Sequence, residues 1–548
     1  MTEVEVLSSS AAPDGLLDAF WAYDRALLAN NTAALAELFA PGPDTLRADG
    51  SGVLVGHERI TAFRAGRTAV PTRQVARVHV RPLDPDTALV VAETRSPDGR
   101  GTGLQTQLWR TVAGRWRVCA AHVTPPGPGH GPGHGPGHGP VDRSVWRVHG
   151  NPLVPGAPDG PLPGRSVAVK DVFAVRGYPV GAGNPTWLEQ APAATAHAGA
   201  VAALLRAGAS LAGIARTDEF AYSLAGTNAH YGTPPNPAAP DRIPGGSSNG
   251  PASAVALGAA DIGLGTDTAG SVRVPASYQG LFGLRTTHDL VDRSGMLALA
   301  PTFDTVGWLT RDAATLAAVA AALLPADRTA PRTPLSKGVL VPALTEQAEP
   351  SVRSAFGAAV TSLVESGVLA SVDLIEIDPA TLERWCEAFR TVQGHEAWAL
   401  HGRWVGAHPG ALGVDVAGRF ATAARIDTAS TAAARCAVDR AGQAVRALLP
   451  PGTALLLPST SSAPPRRDSP AGSPALERAR AATLRLTCLA GLAGVPAISM
   501  PLAQVDGAPL GVSALAGPGA DLDLADLAMR ASRPPATAGA RTNERYRS

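Results

Sequence analysis

The stretch Gly-Leu-Gly-Thr-Asp-Thr-Ala-Gly-Ser-Val-Arg-Val-Pro at residues 263–275 places Ser271 on a glycine-rich turn that follows a short apolar run. Upstream, Pro-Gly-Gly-Ser-Ser-Asn-Gly at 244–250 holds Ser247 in a second such turn, and the apolar run Ser-Val-Ala-Val-Lys ends on Lys170. Glycine lets the backbone approach another group closely and turns successive N–H groups toward one point. Two serines on such turns and a lysine at a buried strand end predict a serine nucleophile with a lysine base.

Apolar runs of strand length alternate with helical patterns on both sides of this stretch. The runs at 166–169, 210–215 and 260–265 have strand length, whereas 198–207 has the apolar spacing of a helix. Such alternation predicts an α/β fold in which helices cover both faces of a sheet.

The glycine- and serine-rich span at 244–287 resembles the signature of the amidase signature family almost position by position. Further matches flank it at 167–173, 206–221, 302–307, 493–501 and 506–512. The resemblance covers about residues 145–530. It implies an α/β/α sandwich around a large mixed β-sheet.

Two segments indicate different branches of that family. The segment at 228–244 is similar to the indole-3-acetamide hydrolase branch, whereas Thr-Asp-Thr-Ala-Gly-Ser at 266–271 is similar to allophanate hydrolases. Both branches therefore remain open on the sequence.

The family resemblance implies a role for each of the three residues singled out above: Ser271 is the nucleophile, Ser247 the bridging serine and Lys170 the base. It also implies a cis peptide bond at the Ser247 position. Lysine has a pKa of roughly 10.4 in water, so burial and the serine hydroxyls must hold it neutral. The predicted oxyanion hole consists of the backbone N–H groups of Thr268, Ala269, Gly270 and Ser271. Three side chains are expected to support these loops by hydrogen bonds: Ser248, Asp267 and Arg273.

Three positions depart from the family pattern. Asn249 replaces the usual Gly or Ser, and Pro251 replaces a usual Ser. Because Asn tolerates the left-handed conformation that Gly would use, we expect the loop to survive. Arg285 stands where many members carry Lys, at a site that we expect to be peripheral.

The segment at 380–440 is the part least like the family, and it contains Trp385, Phe389, His395, Trp398 and Trp404. These side chains either surround the substrate pocket, which would suit an aryl or arylalkyl substrate, or belong to the core. Arg293, in the loop after the signature, is a further candidate for binding a substrate carboxylate.

The region before residue 124 has a different pattern. Helical spacing at 15–28 and 32–39 precedes alternating apolar and polar residues at 74–81, 88–94, 103–112 and 115–123. With Trp-Ala-Tyr-Asp-Arg at 21–25 and Gln-Leu-Trp at 107–109, this region resembles the α+β cone of the nuclear transport factor 2-like (SnoaL-like) superfamily. The resemblance is to the small domain found with amidases of cyanuric-acid catabolism.

Cones of this type enclose a pocket. Tyr23 and Arg47 are expected to face it, where Arg47 would hold a carboxylate through paired N–H bonds. The alternative is a vestigial pocket in a domain that serves assembly or stability.

The proline–glycine repeat at 125–140 separates the two regions and contains His130, His134 and His138. Alternating Pro and Gly is incompatible with a helix or a sheet interior, so we expect an exposed linker, with weak metal affinity as the less favoured alternative. The sequence thus predicts a SnoaL-like domain at 1–124, a linker at 125–144 and an amidase domain at 145–548.

Composition excludes several classes of function. The chain has 548 residues, 45% of them hydrophobic, and a net charge of +1, so neither nucleic acid nor a membrane is an expected partner. Four scattered cysteines indicate reduced thiols, and the first 30 residues lack the pattern of a signal peptide, so we expect a cytoplasmic protein. No phosphate-binding loop and no metal-ligand spacing is evident, so we expect no cofactor and no metal.

These observations favour an amidohydrolase that converts a small-molecule carboxamide to a carboxylate and ammonia through an acyl-enzyme on Ser271. One alternative is an amidotransferase-type subunit that delivers ammonia to a partner. Others are a hydrolase of small carboxylated ureas, such as allophanate or carboxybiuret, and a non-catalytic binding protein. A homodimer is one possible assembly.

Overall fold

The computed structural model describes most of the chain, namely residues 5–8, 11–49, 52–65, 73–95, 101–128, 141–325, 327, 331–469 and 473–533. The backbone divides into two compact units, Met1–Val141 and Asp142–Ser548. No helix within those ranges is long and apolar enough to span a membrane.

The first unit combines a sheet with helices. Its strands are β1 (Glu5–Ser8), β2 (Leu46–Asp49), β3 (Gly52–Val55), β4 (Gln74–Asp84), β5 (Thr87–Arg95), β6 (Gly101–Val112) and β7 (Arg115–Pro128). Its helices are α1 (Leu16–Leu28), α2 (Thr32–Leu38) and α3 (His57–Ala65). The strands form one seven-stranded sheet in the order β1-β4-β5-β6-β7-β2-β3.

The two helices and the antiparallel meander β4–β7 are confirmed, with small shifts of their ends. The Asn31 side chain caps α2 by accepting a hydrogen bond from Ala34 N–H at 3.1 Å. The sequence patterns missed β2, β3 and α3. The two strands have four residues each, too few positions for alternation to be recognised.

Strand β7 continues to Pro128, whereas the linker was predicted to begin at residue 125. A strand tolerates proline on a side without ladder partners, and β2 pairs with β7 only along Ala120–Val123. The remainder of the proline–glycine repeat, including His130, His134 and His138, lies outside the described residues.

The second unit alternates strands and helices as predicted. Its strands are β8 (Trp146–Val154), β9 (Ser166–Lys170), β10 (Ser210–Ala215), β11 (Ile262–Asp267), β12 (Phe282–Arg285), β13 (Thr305–Thr310), β14 (Lys337–Leu340), β15 (Ser371–Leu374), β16 (Thr453–Pro458), β17 (Ala497–Val505) and β18 (Ala508–Leu515). Its helices are α4 (Pro185–Gln190), α5 (Gly199–Arg206), α6 (Asn249–Ala256), α7 (Arg273–Gln279), α8 (Ala313–Leu323), α9 (Pro342–Thr345), α10 (Pro350–Glu365), α11 (Pro379–Ala407), α12 (Val414–Ala423), α13 (Thr428–Ala447), α14 (Pro474–Ala493) and α15 (Asp521–Ala531).

These strands form one mixed sheet of eleven strands in the order β15-β14-β16-β18-β17-β12-β13-β11-β9-β10-β8. Alternate residues of β16 enter two different cores. Ala454 and Leu456 pack with α8, α10 and α15, whereas Leu455 and Leu457 pack with α11, α13 and α14. The predicted α/β/α sandwich around a large mixed sheet is therefore confirmed.

The centre of the sheet brings the two predicted loops and the lysine to one edge. Strands β9 and β11 are parallel neighbours, with Val167 opposite Ile262 and Val169 opposite Leu264. Because parallel neighbours end at the same edge, Lys170 at the end of β9 lies close to the end of β11.

Candidate active site

Lys170 is the last residue of β9, and its side chain is fully buried. Its Nζ atom lies 2.9 Å from Ser247 Oγ and 2.7 Å from Thr266 Oγ1. Burial lowers the pKa of Lys170 to about 7, because removal from water disfavours the ammonium form. Three buried carboxylates oppose this shift: Asp218, Asp267 and Asp304. Near neutral pH the amine is therefore available to accept a proton from a hydroxyl group.

Ser247 lies in the turn that leads into α6, and the Gly246–Ser247 peptide bond is cis. Its carbonyl oxygen accepts hydrogen bonds from Thr217 Oγ1 at 3.0 Å and from the Asp218 N–H at 3.3 Å. A Cβ atom at Gly246 would lie 2.2 Å from Asp218 Oδ2, so a side chain has no room there. These contacts fix the position of Ser247 next to Lys170.

Asp218 is a buried carboxylate that the sequence patterns did not single out. Its oxygens accept hydrogen bonds from the Gly226 N–H at 3.0 Å and from Asn249 Nδ2 at 2.9 Å. Burial raises the pKa of Asp218 to about 7, against the effects of the Gly226 N–H and of Lys170. Asp218 is thus a second group near Lys170 that titrates close to neutrality.

The loop survives at Asn249, as expected, but not through the left-handed conformation that was the reason for that expectation. Asn249 is the first residue of α6 and does not adopt the left-handed conformation. Its side chain instead bonds Asp218 and donates to the Gly226 carbonyl at 3.0 Å. The residue therefore contributes hydrogen bonds, not backbone freedom.

Asp267, the last residue of β11, organises the residues 268–272, here called the Ser271 loop. Its carboxylate accepts bonds from the N–H groups of Gly270 at 2.9 Å and Val272 at 3.1 Å. Arg273 adds two more, from Nε at 3.1 Å and from a terminal nitrogen at 2.9 Å. Burial alone would raise the pKa of Asp267, but Arg273 and Arg285 outweigh it and hold that pKa well below its usual range. The ionised carboxylate fixes the shape of the loop.

Arg285 is not peripheral, contrary to the expectation from sequence. It is fully buried at the end of β12 and donates to the carbonyl oxygens of Asp267 and of Phe303, the latter at 2.9 Å. Burial lowers its pKa to about 10, while Asp267 favours its charged form. Arg285 therefore supports the start of the Ser271 loop together with Arg273.

The N–H groups proposed for the oxyanion hole are not equivalent. The Gly270 N–H is committed to Asp267, which leaves Thr268, Ala269 and Ser271 as the candidate donors. Gly270 has a φ angle of 115°, and a Cβ atom there would lie 2.9 Å from the Thr487 side chain. Glycine is required at this position for conformation and for space.

Ser248 and Thr487 tie the Ser271 loop to its surroundings. Ser248 Oγ donates to the Thr266 carbonyl at 3.3 Å, and its N–H donates to the Ser271 carbonyl at 3.2 Å. Thr487 Oγ1, on α14, donates to the Ala269 carbonyl at 2.5 Å. The loop is therefore held by both the α6 turn and α14.

Ser271 opens into a narrow cavity of about 20 Å³, room for one water-sized group. Tyr222 and Leu484 contribute to its walls, and two polar side chains, Gln393 and Arg480, face it as well. Of the region 380–440, Gln393 is the residue that contributes to this cavity.

The aromatic side chains of that region pack elsewhere. Phe389 is buried and stacks on Phe303 with 4.2 Å between ring centroids. Trp404 packs against Trp187 and Phe220 at 5.5 and 5.3 Å. The core alternative is therefore confirmed for Phe389 and Trp404, Trp385 and Trp398 pack against the same core, and for His395 both alternatives stay predictions. Arg293 donates to the carbonyl oxygens of Pro301 and Asp304, at 2.8 and 3.0 Å, and is not among the cavity residues.

In the first unit, Tyr23 and Arg47 lie inside the fold. Tyr23 belongs to the hydrophobic core, and its hydroxyl accepts a hydrogen bond from Arg64 at 2.9 Å. The Arg47 guanidinium lies 4.5 Å from the Phe63 ring centroid. Asp24, which follows Tyr23 in the sequence, accepts a hydrogen bond from the buried Arg73 at 2.6 Å. Polar groups are thus present in this interior, and a ligand role for Tyr23 and Arg47 stays a prediction.

Comparison with known proteins agrees with both units. A family model described as Amidase matches residues 150–381, and one described as AtzH-like matches residues 10–126. Amidase 1 of Arabidopsis thaliana is 37% identical over 367 residues, which cover 62% of this chain and 86% of that protein. The 2-amino-5-chloromuconic acid deaminase of Comamonas testosteroni is 33% identical over 342 residues, covering 60% and 73%.

Among solved structures, an inhibitor-bound form of a vestigial protein complex related to the origins of an s-triazine catabolic enzyme aligns with a TM-score of 0.60. It is 28% identical, and the alignment covers 68% of this chain and 83% of that chain. The chain belongs to the amidase family and is an amide-hydrolysing enzyme, with an AtzH-like domain at its N-terminus.

Proposed function

We propose that the chain hydrolyses a carboxamide, R–CO–NH₂, to a carboxylate and ammonia through an ester intermediate on Ser271. The observation that carries this proposal is the buried contact between Lys170 Nζ and Ser247 Oγ at 2.9 Å. Ser247 lies in the loop before α6, and Ser271 lies in the loop before α7 and borders the cavity. A neutral amine in that position is the base that a serine nucleophile requires.

In the first half-reaction, Ser271 Oγ attacks the amide carbon while its proton passes to Ser247, and the Ser247 proton passes to Lys170. The carbonyl oxygen becomes an oxyanion that the N–H groups of the Ser271 loop stabilise; one such donor contributes roughly 3–4 kcal/mol. The proton then returns through Ser247 to the leaving nitrogen, the C–N bond breaks, and ammonia departs. In this relay Ser247, which contacts Lys170 Nζ, carries the proton between the lysine and the nucleophile.

In the second half-reaction, water takes the place of ammonia. Its proton passes to Lys170 through Ser247 while its oxygen attacks the ester carbon. Collapse of the tetrahedral intermediate returns the proton to Ser271 Oγ and releases the carboxylic acid, which ionises in solution. The balance is R–CO–NH₂ plus H₂O to R–COO⁻ plus NH₄⁺, with no other reactant.

The finer assignment within the family is also part of the proposal. The likeness of residues 228–244 to the indole-3-acetamide branch makes indole-3-acetamide one amide to assay, beside propionamide, benzamide, allophanate and biuret. Ammonia release from each, with purified protein alone, also separates hydrolysis from delivery of ammonia to a partner. Light scattering of the same preparation tests the homodimer.

The variant Ser271→Ala tests the nucleophile. We expect kcat to fall at least about a thousandfold, because the reaction loses its covalent route. The melting temperature should stay close to that of the parent protein. The matched control is Ser277→Ala, which removes the buried hydroxyl of a serine on the following helix, α7, and should keep the activity. Retention of more than a few per cent of the parent rate by Ser271→Ala would disprove the assignment.

A further inference from the structure

Gln393 and Arg480 line the Ser271 cavity, and the proposed chemistry does not use these two polar side chains. Gln393 comes from α11 and is largely buried, and Arg480 comes from α14. The segment after β10 contributes the hydroxyl-bearing Tyr222 and Ser223 as well as Leu224, and α14 also contributes Leu484. Arg480 places a guanidinium at the cavity of the reacting serine, where an anionic group of a substrate can pair with it.

Arg480 is anchored on one side. Its Nε donates to Glu477 Oε2 at 2.8 Å on the preceding turn of α14. A guanidinium has two further nitrogens, which form a planar fork that fits a carboxylate through two parallel hydrogen bonds. The side chain is about a quarter exposed, so a ligand in the cavity has access to it.

The electrostatic surroundings of the cavity also favour an anion. Tyr222, another cavity residue, is buried, which raises its pKa, and the opposing influence comes from the cations Arg419, Arg480 and Arg390. Arg419 is held near Tyr222 by a 2.9 Å hydrogen bond to the Tyr222 carbonyl. Positive charge therefore reaches this wall of the cavity from more than one side chain, although Asp415 and Glu477 balance part of it through contacts with Arg419 at 3.2 and 3.5 Å.

The small volume of the cavity argues against a large aromatic substrate. The cavity has a volume of about 20 Å³, and the α11 side chains Phe389 and Trp404 pack against Phe303 and Trp187 instead of bordering it. A short, polar amide needs the least displacement of Leu484 and Arg480 to enter.

We propose that the substrate is a short primary amide that carries a carboxylate, and that Arg480 binds this carboxylate while Gln393 hydrogen-bonds the polar part of the chain. The inference rests on the proposed function of Ser271 and narrows it to one class of substrate. Arg480 is thus a specificity-determining residue.

The experiment compares carboxylated amides with neutral partners of the same shape: malonamate with malonamide, succinamate with succinamide, and glutaramate with glutaramide. For the parent protein, kcat/KM should favour the carboxylated member of at least one pair. In Arg480→Met that preference should fall by about 10- to 100-fold, the value of a charge-assisted pair of hydrogen bonds. Arg478→Met, on an exposed position of the same helix, is the control and should keep the preference.

A structural role of Arg480, tying α14 together through Glu477, would lower kcat/KM for both members of a pair equally. Equal losses, or no preference in the parent protein, would overturn the proposal. Binding to Ser271→Ala, measured by calorimetry with succinamate and glutaramate, separates this inference from the reaction. Binding that depends on Arg480 without any amide turnover would refute the proposed function and keep the anion site; turnover of neutral amides without such binding would do the reverse.

Discussion

Lys170 and Asp218 are two buried groups whose pKa values both lie at about 7, one lowered and the other raised by burial. Because they influence one another, the titration near neutrality belongs to the pair and not to either residue alone. Asn249 and the Gly226 N–H hold the carboxylate, while Ser247 and Thr266 contact the amine. The pair therefore sets the pH at which the base becomes available.

This pairing predicts the pH dependence of the enzyme. Lys170 must be neutral to accept a proton, so kcat/KM should rise as pH increases through about 7 and then level off. The negative charge of Asp218 favours the ammonium form, and Asp218→Asn removes that charge. The rise should therefore move to lower pH by about one unit.

The control for this prediction is Asp261→Asn, which removes a carboxylate that bonds Ser166 and Arg311; the carboxylates that shift the pKa of Lys170 are Asp218, Asp267 and Asp304. Its profile should match that of the parent protein. A profile of Asp218→Asn that keeps its midpoint, or moves it to higher pH, would separate Asp218 from the ionisation of Lys170.

At the residue scale, local motifs were sufficient to single out Lys170, Ser247 and Ser271 as candidates, and the contact of Lys170 with Ser247 agrees with them, while their catalytic roles stay predictions. Such motifs were insufficient for Asp218 and Arg285, because spacing along the chain does not say which distant charges fold against a loop. Arg285 carried one signal, a charged residue at the end of the apolar run Leu-Phe-Gly-Leu, which indicates a buried cation with partners.

Helix α14 contributes two residues to the wall of the Ser271 cavity. Arg480, Leu484 and Thr487 are spaced by four and three residues, so they share one face of the helix. The first two border the cavity, and the third bonds the Ala269 carbonyl. One helix face therefore sets the size of the cavity and positions the loop.

This arrangement predicts that Leu484→Ala enlarges the cavity. The ratio of kcat/KM for hexanamide to that for propionamide should rise about tenfold, the usual effect of one or two methylene groups in an apolar pocket. Leu486→Ala is the control: Leu486 is fully buried on the same helix and outside the cavity. In both variants the free energy of unfolding should fall by about 2–5 kcal/mol. A rise of the same size in the control would show that the change in preference comes from loosened packing of α14.

At the element scale, long patterns were reliable and short ones were not. The regular alternation of β4–β7 and the helical spacing of α5 predicted those elements, whereas β2 and β3, with four residues each, gave no recognisable period. The aromatic residues of α11 illustrate a second limit. Composition identifies large apolar side chains but not whether they face a cavity or the core, because that depends on which elements pack against the helix.

Each of the two units has its own sheet and its own hydrophobic core. The core of the first is formed by residues between Leu16 and Ala121, and those of the second by residues from Val145 onward. Lys170, Ser247 and Ser271 all belong to the second unit. We therefore propose that the units fold independently. The order of the eleven strands in the second unit could not be predicted from the sequence, because it depends on pairings between residues distant in sequence.

A fragment that comprises residues 142–548 should therefore fold and retain the kcat/KM and the melting temperature of the same unit in the full chain. The matched control begins at residue 156 and lacks β8, which pairs with β10 at the sheet edge; it should melt at a lower temperature. A fragment 142–548 that is folded but inactive would mean that the N-terminal unit takes part in the working site.

The central claim is that Ser271 is the nucleophile and that Lys170 activates it through Ser247. A fluorophosphonate, which transfers its phosphorus to an activated serine hydroxyl with loss of fluoride, tests this directly when the labelled peptide is identified by mass spectrometry. We expect one phosphonyl group on Ser271, no labelling of the Ser271→Ala variant, and much slower labelling of Lys170→Met. A label on Ser247, or loss of activity with Ser271 unmodified, would contradict it.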